Sequence, residues 1–293
     1  MVLRIRVPRT RLSNGASLSG CRKGKNVGLE QNRIQDVGVL RILRTRRLGR
    51  ELKTVDECTS TNDLAGKLAE GGARDGLVII ALTQTAGKGR LGRPWCSPRG
   101  GIWMSILLRP KVLRYVNALQ VIGALAIAKS IVETLGVGAR VRWPNDVMVD
   151  RRKIAGVLVE SKSMGNELAQ VVLGMGINAN IDTSNIGSIA QTATSLQTVL
   201  GRPIDLERLI AKILEETEVM IDDLCVSAED KLLGLLRGLD CSRGRQVKVS
   251  TAERRVVGLV DDYEALGRVR IVTRDGVAGV ETDSVISVDY QSD

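Results

Sequence analysis

Between residues 87 and 93 the chain reads Gly-Lys-Gly-Arg-Leu-Gly-Arg. Glycines let backbone N–H groups come close to an anion, and arginine presents a fork matched to phosphate or carboxylate oxygens. From Gly76 through Val132 there is no Asp or Glu, while Lys88, Arg90, Arg93, Arg99, Arg109, Lys111, Arg114 and Lys129 all fall there. Such a one-signed stretch marks the seat of a negative ligand. Two generic nucleotide readings fail. Gly87, Gly89 and Gly92 satisfy G-x-G-x-x-G, but Pro94, Pro98 and Gly100-Gly101 lead into a strand rather than a helix, and the acidic residue expected about 20 positions on is missing. A P-loop needs Ser or Thr after its lysine, and Lys88 is followed by Gly89.

A second cluster is Arg142-Trp143-Pro144-Asn145-Asp146, followed by a turn at Asp150-Arg151-Arg152 and a return through Lys153-Ile154-Ala155-Gly156. If Val149 pairs with Lys153, the twofold alternation of strands puts Asn145, Val147, Val149 and Lys153 on one face. Lys153 then reaches back toward Asn145 and Asp146. Activating a carboxylate with ATP brings two anions together, and a lysine charge between them suits that reaction, with Asp146 or Asn145 helping to place Mg²⁺. A lone lysine in a hairpin is ordinarily a surface charge; here the companion motifs argue otherwise.

These residues need a frame. Ser60-Thr61-Asn62-Asp63 before Leu64 reads as a helix start capped by Ser60 or Thr61. Residues 77–83 form a short apolar strand, and 101–108 form another with Ile102, Met104 and Ile106 on one face. Asn117 is expected to cap a long helix ending at Gly136. Its apolar run, 118–135, is interrupted by Gln120, Lys129 and Glu133, which indicates a buried helix rather than a membrane span. Residues 170–178 read as a strand, and Asp205 opens an amphipathic helix carrying Leu206, Leu209, Ile210, Ile213 and Leu214 on one stripe. After Gly238 the period becomes two, with strands at 246–249, 255–260, 268–272, 277–281 and 285–288, the pattern of a small β-barrel. The expected class is therefore α+β: a mixed or antiparallel sheet with flanking helices over 38–238, and a barrel over 239–293.

Composition narrows the chemistry. The 293 residues contain no histidine, which excludes Ser-His-Asp triads, Cys-His pairs and His-containing zinc sites. Three Trp, three Tyr and no Phe leave no stacking platform for single-stranded nucleic acid. The five cysteines are odd in number and scattered, which fits a reducing compartment and no disulfide framework. The net charge of +10 sits at one end: residues 1–50 carry 13 Lys or Arg against Glu30 and Asp36, so the remainder is close to neutral. Residues 1–37 lack a sustained apolar period and are expected to be a flexible basic tail: an unselected or mis-started N-terminus, an electrostatic arm or a transit peptide.

Ser60-Thr61-Asn62, residues 84–95, residues 142–146, residues 153–156 and Gly174-Met175-Gly176-Ile177-Asn178, in this order and spacing, closely resemble biotin–protein ligases. The likeness runs from about Val39 to the C-terminus and implies that the final strands are the family's SH3-like barrel. It further implies a reaction in which biotin attacks the α-phosphorus of Mg·ATP to give biotinyl-5′-AMP, whose biotinyl group passes to a lysine of a biotin carboxyl carrier protein. The resemblance assigns Ser60, Thr61, Asn62 and Gln84 to the biotin ring, with Lys88, Gly89 and Arg90 folding over the ligand. Arg90, Arg93 and Lys153 would neutralise carboxylate and phosphate as the catalytic cations. Trp95 would cover the adenylate, with Asn145 and Asn178 on the nucleotide and Asp146 on Mg²⁺. ATP and Mg²⁺ would be co-substrate and metal, with no tightly bound prosthetic group.

Departures matter too. Arg142 stands where the family usually has Lys, and Lys88 and Leu91 stand where several relatives carry Arg. The DNA-binding winged helix of bifunctional members has no visible counterpart, so a cytoplasmic ligase without specific DNA binding and without a membrane anchor is expected; a homodimer is compatible with the sequence. Two rivals are a lipoate or octanoyl transferase of the same fold, disfavoured because its motifs bear histidine, and a biotin-sensing regulator that binds DNA phosphates through the basic tail with strong salt dependence.

Overall fold

A computed structural model describes residues 34–109, 114–164, 167–184 and 190–291. Its larger sheet has seven strands: β1 (Leu52–Cys58), β2 (Val78–Gln84), β3 (Ile102–Leu108), β4 (Arg140–Arg142), β5 (Asp146–Val149), β6 (Arg152–Met164) and β7 (Glu167–Ile177). They lie in the order β1-β2-β3-β7-β6-β5-β4. Only β1 and β2 run parallel; every other pair is antiparallel. The parallel pair is joined through α2 (Thr61–Glu70), which supplies the crossover that parallel strands require.

Alternation divides the sheet into two working faces. Val78, Ile80, Ile102, Met104, Ile106, Leu173 and Met175 point into the main core, where α3 (Arg114–Leu135) and α5 (Leu206–Cys225) cover them. The opposite face takes α2 and a smaller core of Ala65, Ala69, Leu77, Ile79, Leu107 and Val172. Both faces of β3 are thus buried, which is why all seven of its residues are inaccessible. Helix α3 is long and apolar enough to span a membrane between Val116 and Leu135, but 72% of that window is buried inside the protein. Lys129 escapes the apolar layer by pairing with Glu133 and Glu216 of α5. The helix starts at Arg114, three residues before the expected cap at Asn117, and ends at Gly136, whose φ of +66° only glycine adopts freely.

Three other expectations need correction. Residues 34–37, assigned to a tail, are anchored to the fold: Ile34 is buried, the Gln35 N–H donates to Glu207 Oε1, and α1 (Asp36–Ile42) begins at Asp36, although Val37 itself is exposed; residues 1–33 lie outside the described chain. Ser60 occupies the cap position of α2 but its side chain makes no capping hydrogen bond, whereas Asp205 caps α5 by accepting from the Arg208 N–H. The Lys153 hairpin, which the sequence leads to expect as two strands around the 150–152 turn, is preceded by a third strand, β4, because Trp143, Pro144 and Asn145 separate β4 from β5.

After α4 (Leu196–Leu200), α5 and α6 (Glu229–Leu239), the chain forms a second, antiparallel sheet: β8 (Gln246–Thr251), β9 (Arg255–Ala265), β10 (Arg268–Thr273), β11 (Gly276–Glu281) and β12 (Val285–Tyr290), ordered β11-β10-β9-β8-β12. All five predicted strands are present, in an SH3-like arrangement. This unit is not insulated from the first. Val247, Val249, Val260, Ile271 and Val285 belong to the same continuous apolar core as the seven-stranded sheet, and the Cys241 N–H donates to the Val141 carbonyl of β4.

Candidate active site

The site lies on the α2 face of the large sheet, and register shows how it is built. Cross-strand partners share a face. Ser105 pairs with Gly174 and Gly174 with Leu158; one step along, Trp103 pairs with Gly176 and Gly176 with Gly156. Three of these floor positions therefore carry no side chain. What rests on them is specific: a Cβ at Gly174 would overlap Asn62 Oδ1, one at Gly176 would lie 2.7 Å from Trp95 Nε1, and one at Gly156 would lie 3.1 Å from both Trp95 Cζ3 and Lys153 Cε. Asn62, the Trp95 ring and Lys153 thus follow one another across a flat glycine floor.

At the Asn62 end the buried groups are uncharged and mutually hydrogen-bonded, with one carboxylate, Glu160, at their edge. Thr61 donates its N–H and its hydroxyl to Gln84 Oε1 at 2.8 and 3.1 Å, and Gln84 Nε2 donates to Ser97 Oγ at 2.8 Å. Ser105 Oγ lies 2.7 Å from Thr61 Oγ1 and 2.6 Å from Asn62 Oδ1, and Asn62 Nδ2 donates to Glu160 Oε2. Ser60, Thr61, Asn62, Ser97 and Ser105 are all buried, an expensive set of polar groups to desolvate unless they are satisfied. Ser97, Ser105 and Glu160 were not anticipated. Ser105 did leave a signal, as the lone polar residue in the strand Ile-Trp-Met-Ser-Ile-Leu-Leu.

At the other end the groups are charged. Asp146 is gripped by Lys153 at Oδ1 and by Arg142 Nη2 at Oδ2, the latter at 2.7 Å. The Lys153 ammonium also sits 5.0 Å from the centroid of the Trp95 ring, within cation–π range. This corrects the hairpin. Asp150 and Arg151 both have positive φ, so the turn has two residues; Val149 pairs with Arg152 and Met148 with Lys153. The one-residue slip puts Lys153 on the face of Asp146 and Met148 rather than that of Asn145. Asn145 instead donates Nδ2 to the Val157 carbonyl, and Val157 returns its N–H to the Asn145 carbonyl. Asn178 is buried and donates to the Thr194 carbonyl, next to the Thr194 N–H that donates to the Lys153 carbonyl. Thr194 Oγ1 and Trp95 Nε1, both beside this end, are buried with no hydrogen-bond partner.

The glycine loop folds back on itself above the floor. Gly89 N–H donates to the Arg93 carbonyl, Arg93 N–H to the Arg90 carbonyl, and Trp95 N–H to the Gly87 carbonyl. The Gly89 amide, expected to face a ligand, is thus used inside the loop. Arg90–Gly92 is one 3₁₀ turn in which Leu91 has φ +57°, a left-handed conformation costing a side-chain-bearing residue roughly 1–2 kcal/mol. Lys88 is turned outward to Asp63 at 2.6 Å, and that hydrogen bond raises its pKa. Arg90 donates to the Val285 carbonyl of β12. Burial lowers the Arg90 pKa, opposed by nearby Asp146 and assisted by Arg93. Arg93 is exposed at the loop's exit.

The acid-free stretch proves less uniform in space than in sequence. Its Lys88, Arg99 and Lys129 find carboxylates outside it, on Asp63, Asp56 and Glu216, and Lys129 lies on α3, on the other side of the sheet. Arg142 and Lys153 hold Asp146, and Arg90 lies close enough to feel both Asp146 and Arg93. The residues do not form a metal site by themselves. Both oxygens of Asp146 are held by cations, and among the described residues no three Cys, Asp or Glu side chains converge.

The glycine floor thus offers buried uncharged hydrogen-bonding groups at one end and cations at the other, the pairing that a ligand with a polar uncharged head and an anionic tail requires. Comparison with known proteins agrees: residues 54–178 match the biotin/lipoate A/B protein ligase family. The chain is 32% identical over 230 residues to the biotin–[acetyl-CoA-carboxylase] ligase of Mycobacterium tuberculosis, covering 75% of this chain and 82% of that protein. It is 29% identical over 275 residues to the bifunctional ligase/repressor of Bacillus subtilis, covering 93% and 82% respectively. The structure resembles the biotin protein ligase from Aquifex aeolicus in complex with biotin and ATP, with a TM-score of 0.74 and 26% identity over 83% of this chain and all of that one. The chain belongs to the biotin/lipoate A/B protein ligase family.

Proposed function

We propose that this chain is a biotin–protein ligase that attaches biotin to a lysine of a biotin carboxyl carrier domain at the expense of ATP. The observation that carries this reading is the polarity of the glycine floor. A ureido head needs neutral donors and acceptors, which Thr61, Gln84, Ser105 and Asn62 supply; a carboxylate and a phosphate need cations, which Lys153, Arg90 and Arg93 supply. Ser60 borders the first group, while Lys88 and Gly89 lie in the loop above the floor.

In the first step a biotin carboxylate oxygen forms a bond to the α-phosphorus of ATP and the bond to pyrophosphate breaks. Two anions must approach, and Lys153 is the group that can offset their repulsion once Asp146, which Arg142 also holds, releases or shares it. Trp95, packed on Gly156 and Gly176, presents an apolar ring beside which a hydrolysable mixed anhydride is shielded from water. Asn178 and Asn145 border the adenylate end. In the second step the neutral carrier amine attacks the acyl carbon, AMP leaves, and the amine loses a proton. Magnesium reaches the site with its nucleotide, as part of the substrate. Cys58, Cys96, Cys225 and Cys241 are in no disulfide among the described residues, which supports a reducing compartment, and we place the reaction in the cytoplasm.

Incubation with biotin, Mg·ATP and a carboxyl carrier domain, followed by mass measurement of the carrier, tests the reading. The carrier should gain one biotinyl group; a carrier that accepts lipoyl or octanoyl but never biotinyl would overturn it.

A further inference from the structure

Strand β12 of the C-terminal sheet touches the site at both of its ends. Val285, the first residue of β12, accepts the Arg90 guanidinium from the glycine loop. Tyr290, the last, donates its hydroxyl to the Trp143 carbonyl at 2.7 Å. Trp143 is held at two further points from the same side of the molecule. Its N–H donates to Ser242 Oγ at 2.8 Å, and its indole N–H donates to Thr282 Oγ1 at 3.2 Å. Ser242 and Thr282 are essentially inaccessible, and the Tyr290 hydroxyl lies 3.0 Å from Ser242 Oγ. All three polar groups of Trp143 are therefore satisfied by residues beyond position 239. Two residues later come Asn145 and Asp146, the turn that carries the anchor of Lys153.

We infer that β12 is a crossbar that sets the spacing between the glycine loop and the Trp143–Asp146 turn, with Tyr290 and Ser242 as positioning residues for the nucleotide half of the site. A six-residue strand spans roughly 17 Å at about 3.3 Å per residue, enough to reach from one wall of a nucleotide-sized site to the other. The neutral end has no comparable tie to the second sheet, since Thr61, Gln84, Ser97, Ser105 and Asn62 bond to one another and to Glu160. The crossbar should consequently act on ATP and leave biotin alone. Burial pushes the Tyr290 phenol above its ordinary range, so it remains a donor at every working pH.

This inference rests on the proposed reaction, and the test separates the two. Tyr290→Phe removes the hydroxyl and keeps the ring that Arg142 stacks on at 5.5 Å; Ser242→Ala is the second variant. Hydrogen exchange of the backbone amides of residues 143–147, read without any substrate, should quicken in both. The KM for Mg·ATP should rise by about tenfold, the cost of one well-placed hydrogen bond, with the Kd for biotin unchanged and the melting temperature near that of the parent. Unchanged exchange in both variants overturns the crossbar, as does faster exchange with an unaltered KM for ATP, or a joint loss of ATP and biotin affinity accompanied by a falling melting temperature. If the parent forms no biotinyl-adenylate, the reaction assignment fails, and the exchange measurement alone then decides whether β12 fixes the turn.

Discussion

Gly174 shows how an absent side chain can carry a site. Asn62 Oδ1 occupies the space a Cβ would need, while its own amide bridges Ser105 and Glu160. Gly174→Ala must push Asn62 off both partners, leaving buried polar groups unpaired at a cost of about 1–3 kcal/mol. We expect at least about a tenfold loss of biotin affinity by calorimetry, the factor that 1.4 kcal/mol represents; parent-like binding would show that Asn62 does not touch the ligand. Sequence made Gly174 and Asn62 visible as members of motifs but gave no means of pairing them, because their contact spans two strands and a helix. The same limit applies to Lys153. Its reach toward Asp146 could be read from its companions, whereas its cross-strand partner could not, because that depends on the two-residue Asp150-Arg151 turn together with a bulge between Val147 and Met148.

Elements were legible where a single period governs them. The five C-terminal strands, the buried α3 and the capped α5 follow from local pattern and need no partner to be recognised. Helix α1 was not legible, because what holds it is remote: Glu207, Glu215 and Glu218 of α5 accept the backbone N–H groups of Gln35, Arg44, Arg46, Arg47 and Leu48. Glu218 is buried, and burial alone raises its pKa, but the amide donors of Arg46, Leu48 and Arg47 outweigh burial and the net shift is downward from 4.5. A carboxyl lowered in the fold stabilises fully above its unfolded pKa and progressively less as the pH falls through the folded value. Glu218→Gln should therefore lose about 1–3 kcal/mol at neutral pH and show a shallower acid limb below about pH 4.5 in a denaturant series. An acid limb as steep as the parent's would remove Glu218 from the account.

For the whole molecule, the boundary of the folded chain lies earlier than composition suggested. Ile34 is buried and Asp36 Oδ1 accepts the Thr54 N–H of β1, so removal of residues 1–33 should leave ligation intact, while removal of 1–37 should lower the melting temperature. Equal melting temperatures for the two truncations would contradict this. The match to the Bacillus subtilis protein covers 93% of the chain, a larger share than lies beyond residue 37, and so also reaches into the stretch expected as a tail. The two sheets share one core, and β12 reaches the site, so under the proposed reaction the protein is a single device with a biotin half and a nucleotide half. The most direct test of that division is exchange of labelled pyrophosphate into ATP with no carrier present. Exchange should require biotin, and Lys153→Ala should slow it by about a hundredfold or more while biotin binding changes little, as expected of a charge that acts on the transition state. Exchange that proceeds without biotin, or equal losses of exchange and biotin affinity in the variant, would contradict the account.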